Sequence, residues 1–230
     1  MSVFQSAGRT DLGKVRKRNE DAILSRDDAR LWVVADGLGG HSAGDVASTL
    51  IAERLATIEV GLSAPDAVDA VDDALLSVHE ELRLLAQQRR VDLIGSTVAL
   101  TLIRDGIGLC GWVGDSRVYC YEDGLLRQLT VDHAHAPPPG VTSQAGAGVL
   151  TRAVGADQVL SIDWLAVALK ADTQLLLCTD GVNKEMSDQE LAEVLGAAAS
   201  AEAAIDDIFA CCLARGARDN VSAIVIRSPG

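Results

Sequence analysis

Apolar positions in this chain follow two rhythms. Near the start, "AILS" and "LWVVA" (residues 22–25 and 31–35) are short unbroken apolar runs bounded by polar residues or glycine, as in buried strands. From Gly44 to about Val60 the spacing becomes helical, with Ala47, Ile51, Leu55 and Ile58 on one face. A longer stripe follows, in which Val68, Val71, Leu75, Val78, Leu82 and Leu85 recur at steps of three and four and predict an amphipathic helix. Pro65 suits its first turn, and Asp66, Asp69, Asp72 and Asp73 lie early in it, where the helix dipole favours anions. A solvated helix face accounts for those four acids.

The middle of the chain is strand-rich. "STVALTLI", "GLCGWVG", "RVYCY" and "LLRQLT" are separated by turn signals at Arg104-Asp105-Gly106 and Glu122-Asp123-Gly124, spacings that predict hairpins and an antiparallel sheet. Between about 131 and 149 the apolar periodicity gives way to Pro and Gly, as in a surface flap. Strands are then expected near 158–169 and 174–179, helices near 187–198 and 201–214, and a last strand at "VSAIVI". Strands and helices without regular βαβ alternation predict an α+β layered fold, with helices outside packed antiparallel sheets and residues 1–230 forming one domain.

Composition narrows the function classes. Hydrophobic residues make up 48% of the chain and aromatics only 3%, so Leu, Val, Ile and Ala must fill the core. A net charge of −13 opposes long-range attraction to nucleic acid or anionic membranes, and neither is an expected partner. No apolar run approaches the ~20 residues of a membrane span, and the N-terminus lacks the hydrophobic core of a signal peptide. The five cysteines show no C-x-x-C spacing, which suits a reducing cytoplasm. The adjacent Cys211 and Cys212 are read as small buried hydrophobes.

The chemistry rests on acids at strand edges. Asp36 ends "LWVVA", Asp180 ends "QLLLCT" before Gly181, and Asp219 begins the final strand. In an antiparallel sheet the end of one strand lies beside the start of its neighbour, so these acids can meet at one rim, joined by Glu20 and Asp21. Three to five clustered carboxylates cannot all ionise without a counter-charge, and an all-oxygen ligand set selects hard cations such as Mg²⁺, Mn²⁺ or Ca²⁺. Taken singly, each acid is more often a turn residue.

The segments "GKVRKRNEDA", "VVADGLGGHSAGDVAS", "GST", "VGDSRVY", "LTVDH", "LTRAVG", "LLLCTDGV" and "RDNVSAIVI" occur in the order found in the metal-dependent serine/threonine protein phosphatases of type 2C. The chain most resembles the bacterial branch, from about residue 10 to 226. The resemblance implies a four-layer α/β/β/α sandwich with a centre of two or three Mn²⁺ or Mg²⁺ ions at one end. It implies that Asp36 bridges two metals, that the Gly37 carbonyl binds one of them, and that Asp180 and Asp219 hold the other. Asp21 and Glu20 would reach the metals directly or through water, and Asp115 would help Asp180 hold a third ion. Arg16 matches the arginine that grips the substrate phosphate, a task suited to a guanidinium fork. Its neighbours Lys14, Lys17 and Arg18 form a basic patch in an acidic chain, a solvated charge run that can also draw in phosphorylated substrate.

The implied activity is hydrolysis of phosphoserine and phosphothreonine by a metal-bridging water, with no phosphoenzyme. Expected partners are phosphorylated Ser/Thr proteins, including a cognate kinase, and a monomer is expected. By analogy, a kinase-controlled secretion system is one expected setting. Two departures stand out. Leu38 replaces the histidine that eukaryotic members carry after Asp-Gly, so no general acid is assigned; His41, three places on, is read as structural or loop-exposed. "DHS" becomes "DHA" at Ala134, and the stretch from His133 to Leu150 is short and stiffened by Pro137, Pro138 and Pro139, which bears on substrate access. The alternative is a catalytically silent binding or scaffolding module, but such a relative is expected to have lost metal acids. A nucleotide-binding reading fails because neither G-x-x-x-x-G-K-[ST] nor a strand–G-x-G-x-x-G–helix unit is present.

Overall fold

The unbroken run at 31–35 is long and apolar because both of its faces are covered. In the computed structural model, which describes residues 4–39, 43–135 and 149–229, Trp32 and Val34 face a second sheet while Leu31, Val33 and Ala35 face helices. In chain order the elements are β1 (Gln5–Asp11), β2 (Asp21–Arg26), β3 (Leu31–Leu38), α1 (Gly44–Leu55), α2 (Ala64–Arg89), β4 (Gly95–Ser96), β5 (Val98–Arg104), β6 (Ile107–Val113) and β7 (Arg117–Glu122). There follow β8 (Leu125–Gln128), β9 (Ala134–His135), β10 (Val149–Leu150), β11 (Asp163–Ala168), β12 (Gln174–Cys178), α3 (Asp180–Asn183), α4 (Asp188–Ala197), α5 (Ala201–Arg215) and β13 (Val221–Arg227).

One sheet runs β1-β13-β12-β7-β8 and the other β11-β6-β5-β3-β2, with β4 paired to β3. All the pairings within them are antiparallel. The hairpins β5–β6 and β7–β8 turn at Asp105-Gly106 and Asp123-Gly124, where all four residues have positive φ, as two-residue hairpin turns require. Trp32, Val34, Ile103, Val118, Leu177 and Ile224 fill the layer between the sheets. Helices α1 and α2 cover one outer face through Ile51, Leu55, Val71, Leu75 and Leu82. Helices α4 and α5 cover the other through Leu191, Leu195, Ile208 and Phe209. The fold is the expected four-layer α/β/β/α sandwich.

The differences from the sequence reading are local. Helix α1 stops at Leu55, and Ile58 reaches the core from the turn beyond it. The buried stripe of α2 is bounded by Ala67 and Ala86 rather than Val68 and Leu85. Asp72 is an anchor, not only a solvated acid: it accepts a hydrogen bond from Trp164 Nε1 (3.0 Å), tying α2 to β11. Strand β11 is shorter than 158–169, and β1, too polar to be read as a strand, forms through its edge pairing with β13. Of the flap at 131–149, residues 136–148, with the three prolines, lie outside the described residues; its ends pair as β9 and β10. Cys212 is buried and Cys211 half-buried, and all five cysteines are free. Among the described residues no helix is long and apolar enough to cross a membrane.

Candidate metal centre

Both sheets deliver acids to one rim. Asp21 at the start of β2 lies directly opposite Asp36 near the end of β3, because their antiparallel register pairs the two residues. On the other sheet β12 and β13 pair through Cys178 and Ala223, so the chain beyond β12 stands beside the chain before β13. That places Asp180 next to Asp219. Asp180 does not end its strand but opens the short helix α3, and Asp219 stands two residues before β13. Asp115 comes from the turn between β6 and β7. Arg16, Glu20, Asp36, Gly37, Asp115, Asp180 and Asp219 line one pocket of about 340 Å³. Asp21 stands behind it, with Oδ2 accepting from the hydroxyls of Thr179 (2.8 Å) and Ser222 (2.6 Å).

The backbone comes unusually close here. A Cβ on Gly37 would lie 2.0 Å from the Gly44 carbonyl oxygen and 2.7 Å from that of Glu20, so only glycine lets β3 end against the start of α1. Gly181 is confined likewise, its would-be Cβ 1.9 Å from the Asn220 carbonyl oxygen. The Asp36 backbone is pinned from both sides: its N–H donates to Thr97 Oγ1 (3.1 Å), and its carbonyl accepts from Thr97 N (2.8 Å) and Ser96 Oγ (2.9 Å). Asn220 staples the loop that carries Arg16. Its Oδ1 accepts from Glu20 N (2.9 Å), while Nδ2 donates to the carbonyls of Leu12 (2.9 Å) and Arg18 (3.0 Å). His133 clamps the turn before Asp115, accepting at Nδ1 from Gly114 N (3.1 Å) and donating its own N–H to Gly114 O (2.9 Å).

The electrostatics are those of a site short of positive charge. Burial, then repulsion from Asp21 and Asp180, drives Asp36 well above the carboxylate range. Burial pushes Asp21 up to about 7 against its two hydroxyl hydrogen bonds, and raises Asp115 to about 6. Asp180 is raised by burial in spite of Lys184. Asp219 alone is held low: burial opposes its charge, but Arg16 outweighs it, with Nε 2.8 Å from Oδ1 and a terminal nitrogen 3.0 Å from Oδ2.

The residues fit divalent cations. Asp180 Oδ1 is buried without a hydrogen-bond partner, the donors are all oxygen, and the acids outnumber the fixed cations. Among the described residues no three acid, His or Cys side chains are already arranged to grip one ion. Instead the Lys184 ammonium stands among them, paired with Asp180 and 3.5 Å from Asp219.

The structure therefore brings Arg16, Glu20, Asp36, Gly37, Asp115, Asp180 and Asp219 together, with Asp21 directly behind. Lys14, Lys17 and Arg18 lie exposed in the loop that carries Arg16, and His41 lies outside the described residues. Three residues of the site have no role assigned from the sequence: Lys184, Asn220 and Gly181. The i,i+4 spacing in "DGVNK" pointed to the first. Nothing in the local pattern revealed that Asn220 or Gly181 abuts a distant segment.

Residues 14–225 match the family described as protein phosphatase 2C. The chain is 29% identical to the serine/threonine phosphatase stp of Listeria monocytogenes, over 95% of this chain and 93% of that protein. It superposes with a TM-score of 0.92 on PppA, a key regulatory component of T6SS in Pseudomonas aeruginosa, at 39% identity over 99% of this chain and 98% of that one. With the catalytic domain of the serine/threonine protein phosphatase PstP, solved in complex with two manganese ions, it shares a TM-score of 0.88 and 28% identity over the full length of both chains.

Proposed function

The chain belongs to the protein phosphatase 2C family, and on that premise we propose that its rim pocket hydrolyses phosphoserine and phosphothreonine in proteins with divalent metal ions as cofactors. The observation that carries the proposal is the gathering of Asp36, Asp115, Asp180 and Asp219 in one pocket with Arg16. Asp36, Asp180, Asp219 and the Gly37 carbonyl are the proposed holders of two Mn²⁺ or Mg²⁺ ions. Glu20 and Asp21 support them, and Asp115 with Asp180 would hold a third. Bound there, such ions lower the pKa of water at neutral pH and offset charge on the phosphoryl oxygens.

The chain's own residues supply the remainder. Arg16 keeps two of its nitrogens on Asp219 and offers its remaining N–H donors to the phosphoryl oxygens, which orients the phosphorus. The Asp219 carboxylate fixes the guanidinium plane in return. Thr97 and Ser96 hold the Asp36 backbone still, so the carboxylate needs no reorganisation during reaction. Leu38 also lines the pocket and has no proton to give, so it takes no part in leaving-group protonation.

We read residues 1–230 as one catalytic domain, since both sheets build the same site, working as a cytoplasmic monomer against a cognate kinase. Similarity to PppA supports the narrower reading that the substrates belong to a kinase-controlled secretion apparatus. The test is hydrolysis of a phosphothreonine peptide with Mn²⁺, beside a chelator control and Asp36→Asn. Loss of activity in both controls is expected, and full activity in either would overturn the metal assignment.

A further inference from the structure

Lys184 has no part in the scheme above, yet its ammonium sits inside the acidic pocket. Its place is set by the backbone. The Lys184 N–H donates to the Asp180 carbonyl (2.9 Å), which puts the two side chains one helical turn apart on the same face. Surface i,i+4 pairs are free to separate into water and are worth little. This pair is different: Asp180 is buried, Lys184 is half-buried, and the ammonium also hydrogen-bonds Asp219 at 3.5 Å. The pocket's other fixed cation, Arg16, is already committed to both oxygens of Asp219. Lys184 is therefore the positive charge that compensates Asp180.

We propose that Lys184 is a tethered counter-ion that occupies the Asp180–Asp219 end of the pocket in the metal-free protein and must be displaced by an incoming divalent cation. The inference rests on the metal-site reading above. An ammonium and a dication cannot share two carboxylates at contact distance without strong repulsion, which the low local dielectric enlarges. Metal entry then requires the four-carbon stem to swing its head out of the pocket. Lys184 thus holds the empty site together and also weakens the site's affinity for metal, so this end of the centre loads at higher metal concentration than the carboxylates alone would set.

The test is calorimetric titration of Mn²⁺ into chelator-stripped protein, for wild type, Lys184→Met and Lys184→Arg, with thermal melts in chelator. Lys184→Met should bind Mn²⁺ about tenfold tighter or more, a difference of about 1.4 kcal/mol, and should melt lower than wild type in chelator. Lys184→Arg keeps the charge and should keep the weaker affinity. Unchanged or weaker Mn²⁺ binding by Lys184→Met overturns the proposal. If that variant does not fold, reductive methylation of wild-type Lys184, followed by mass spectrometry, decides. The amine should label faster with Mn²⁺ than in chelator, and equal or slower labelling refutes displacement. Asp180→Asn and Asp219→Asn separate the two levels. If they retain wild-type Mn²⁺ binding, the metal-site reading fails and the counter-ion falls with it; if they lose it while Lys184→Met is unchanged, only the lysine inference fails.

Discussion

Replacing Gly37 by Ala adds one methyl group, and the structure says what it meets. The new Cβ would lie 2.0 Å from the Gly44 carbonyl oxygen and 2.7 Å from that of Glu20. Neither obstacle is a side chain that can turn away. The end of β3 and the start of α1 must part by more than an ångström, and Asp36 moves with the strand. Overpacking that side chains can absorb costs about 1–3 kcal/mol; with backbone on two sides, about 3 kcal/mol or more is expected. For a chain of this size that lowers the melting temperature by about 6–12 °C, at roughly 2–4 °C per kcal/mol. Gly124→Ala is the control. There a Cβ meets nothing, but φ is +79°, so the left-handed conformation alone should cost about 1–2 kcal/mol. Circular-dichroism melts and Mn²⁺-dependent phosphopeptide hydrolysis read both effects. Gly37→Ala should lose stability and most of its activity, whereas Gly124→Ala should lose a few degrees and keep its turnover. A Gly37→Ala protein that melts like wild type and retains kcat would refute the close-approach argument.

Other outcomes follow from the same geometry. Arg16→Ala should raise KM for a phosphopeptide while Mn²⁺ binding by calorimetry persists, and Arg16→Lys should not restore it because an ammonium cannot span Asp219 and phosphate together; an unchanged KM removes Arg16 from phosphate binding. Asn220→Ala frees the Leu12 and Arg18 carbonyls and the Glu20 amide, which should speed hydrogen exchange across residues 12–20 and raise KM; exchange at the wild-type rate would refute the staple. In chelator, the raised carboxyls of Asp21 (about 7) and Asp115 (about 6), with Asp36 and Asp180, keep protons that the unfolded chain releases near pH 4. Their stabilising effect is full below that pH and is lost as pH climbs through the folded values, so the metal-free protein should melt progressively lower between about pH 5 and 8. His79, held below its usual value by burial, opposes this as a single group. Saturating Mn²⁺ should reverse the slope, since metal replaces those protons; a metal-free melting temperature that rises across the window would refute the charge argument.

The sequence by itself determined the layers and marked the candidate acids. Unbroken apolar runs such as 31–35 specify strands covered on both faces, and the three-and-four spacing of Val71, Leu75, Val78 and Leu82 specifies a helix with one buried side. Asp-Gly pairs mark the hairpins, and Asp36, Asp180 and Asp219 stand out as carboxylates at the ends of apolar runs. These are local signals, carried by neighbours within a few residues. Only the tertiary structure decided what depends on distant segments meeting. Strand β1 is polar and exists because β13 offers it an edge. Asp21 sits behind the pocket because Thr179 and Ser222, from the other sheet, claim one of its oxygens. Gly37 and Gly181 are required by carbonyls 7 and 39 residues away along the chain, at Gly44 and Asn220. Lys184 turns from an ordinary helix-end lysine into a half-buried counter-ion only when Asp219 arrives beside Asp180. Periodicity records which face of a segment is buried, but not which charge or carbonyl from elsewhere in the chain lies against it.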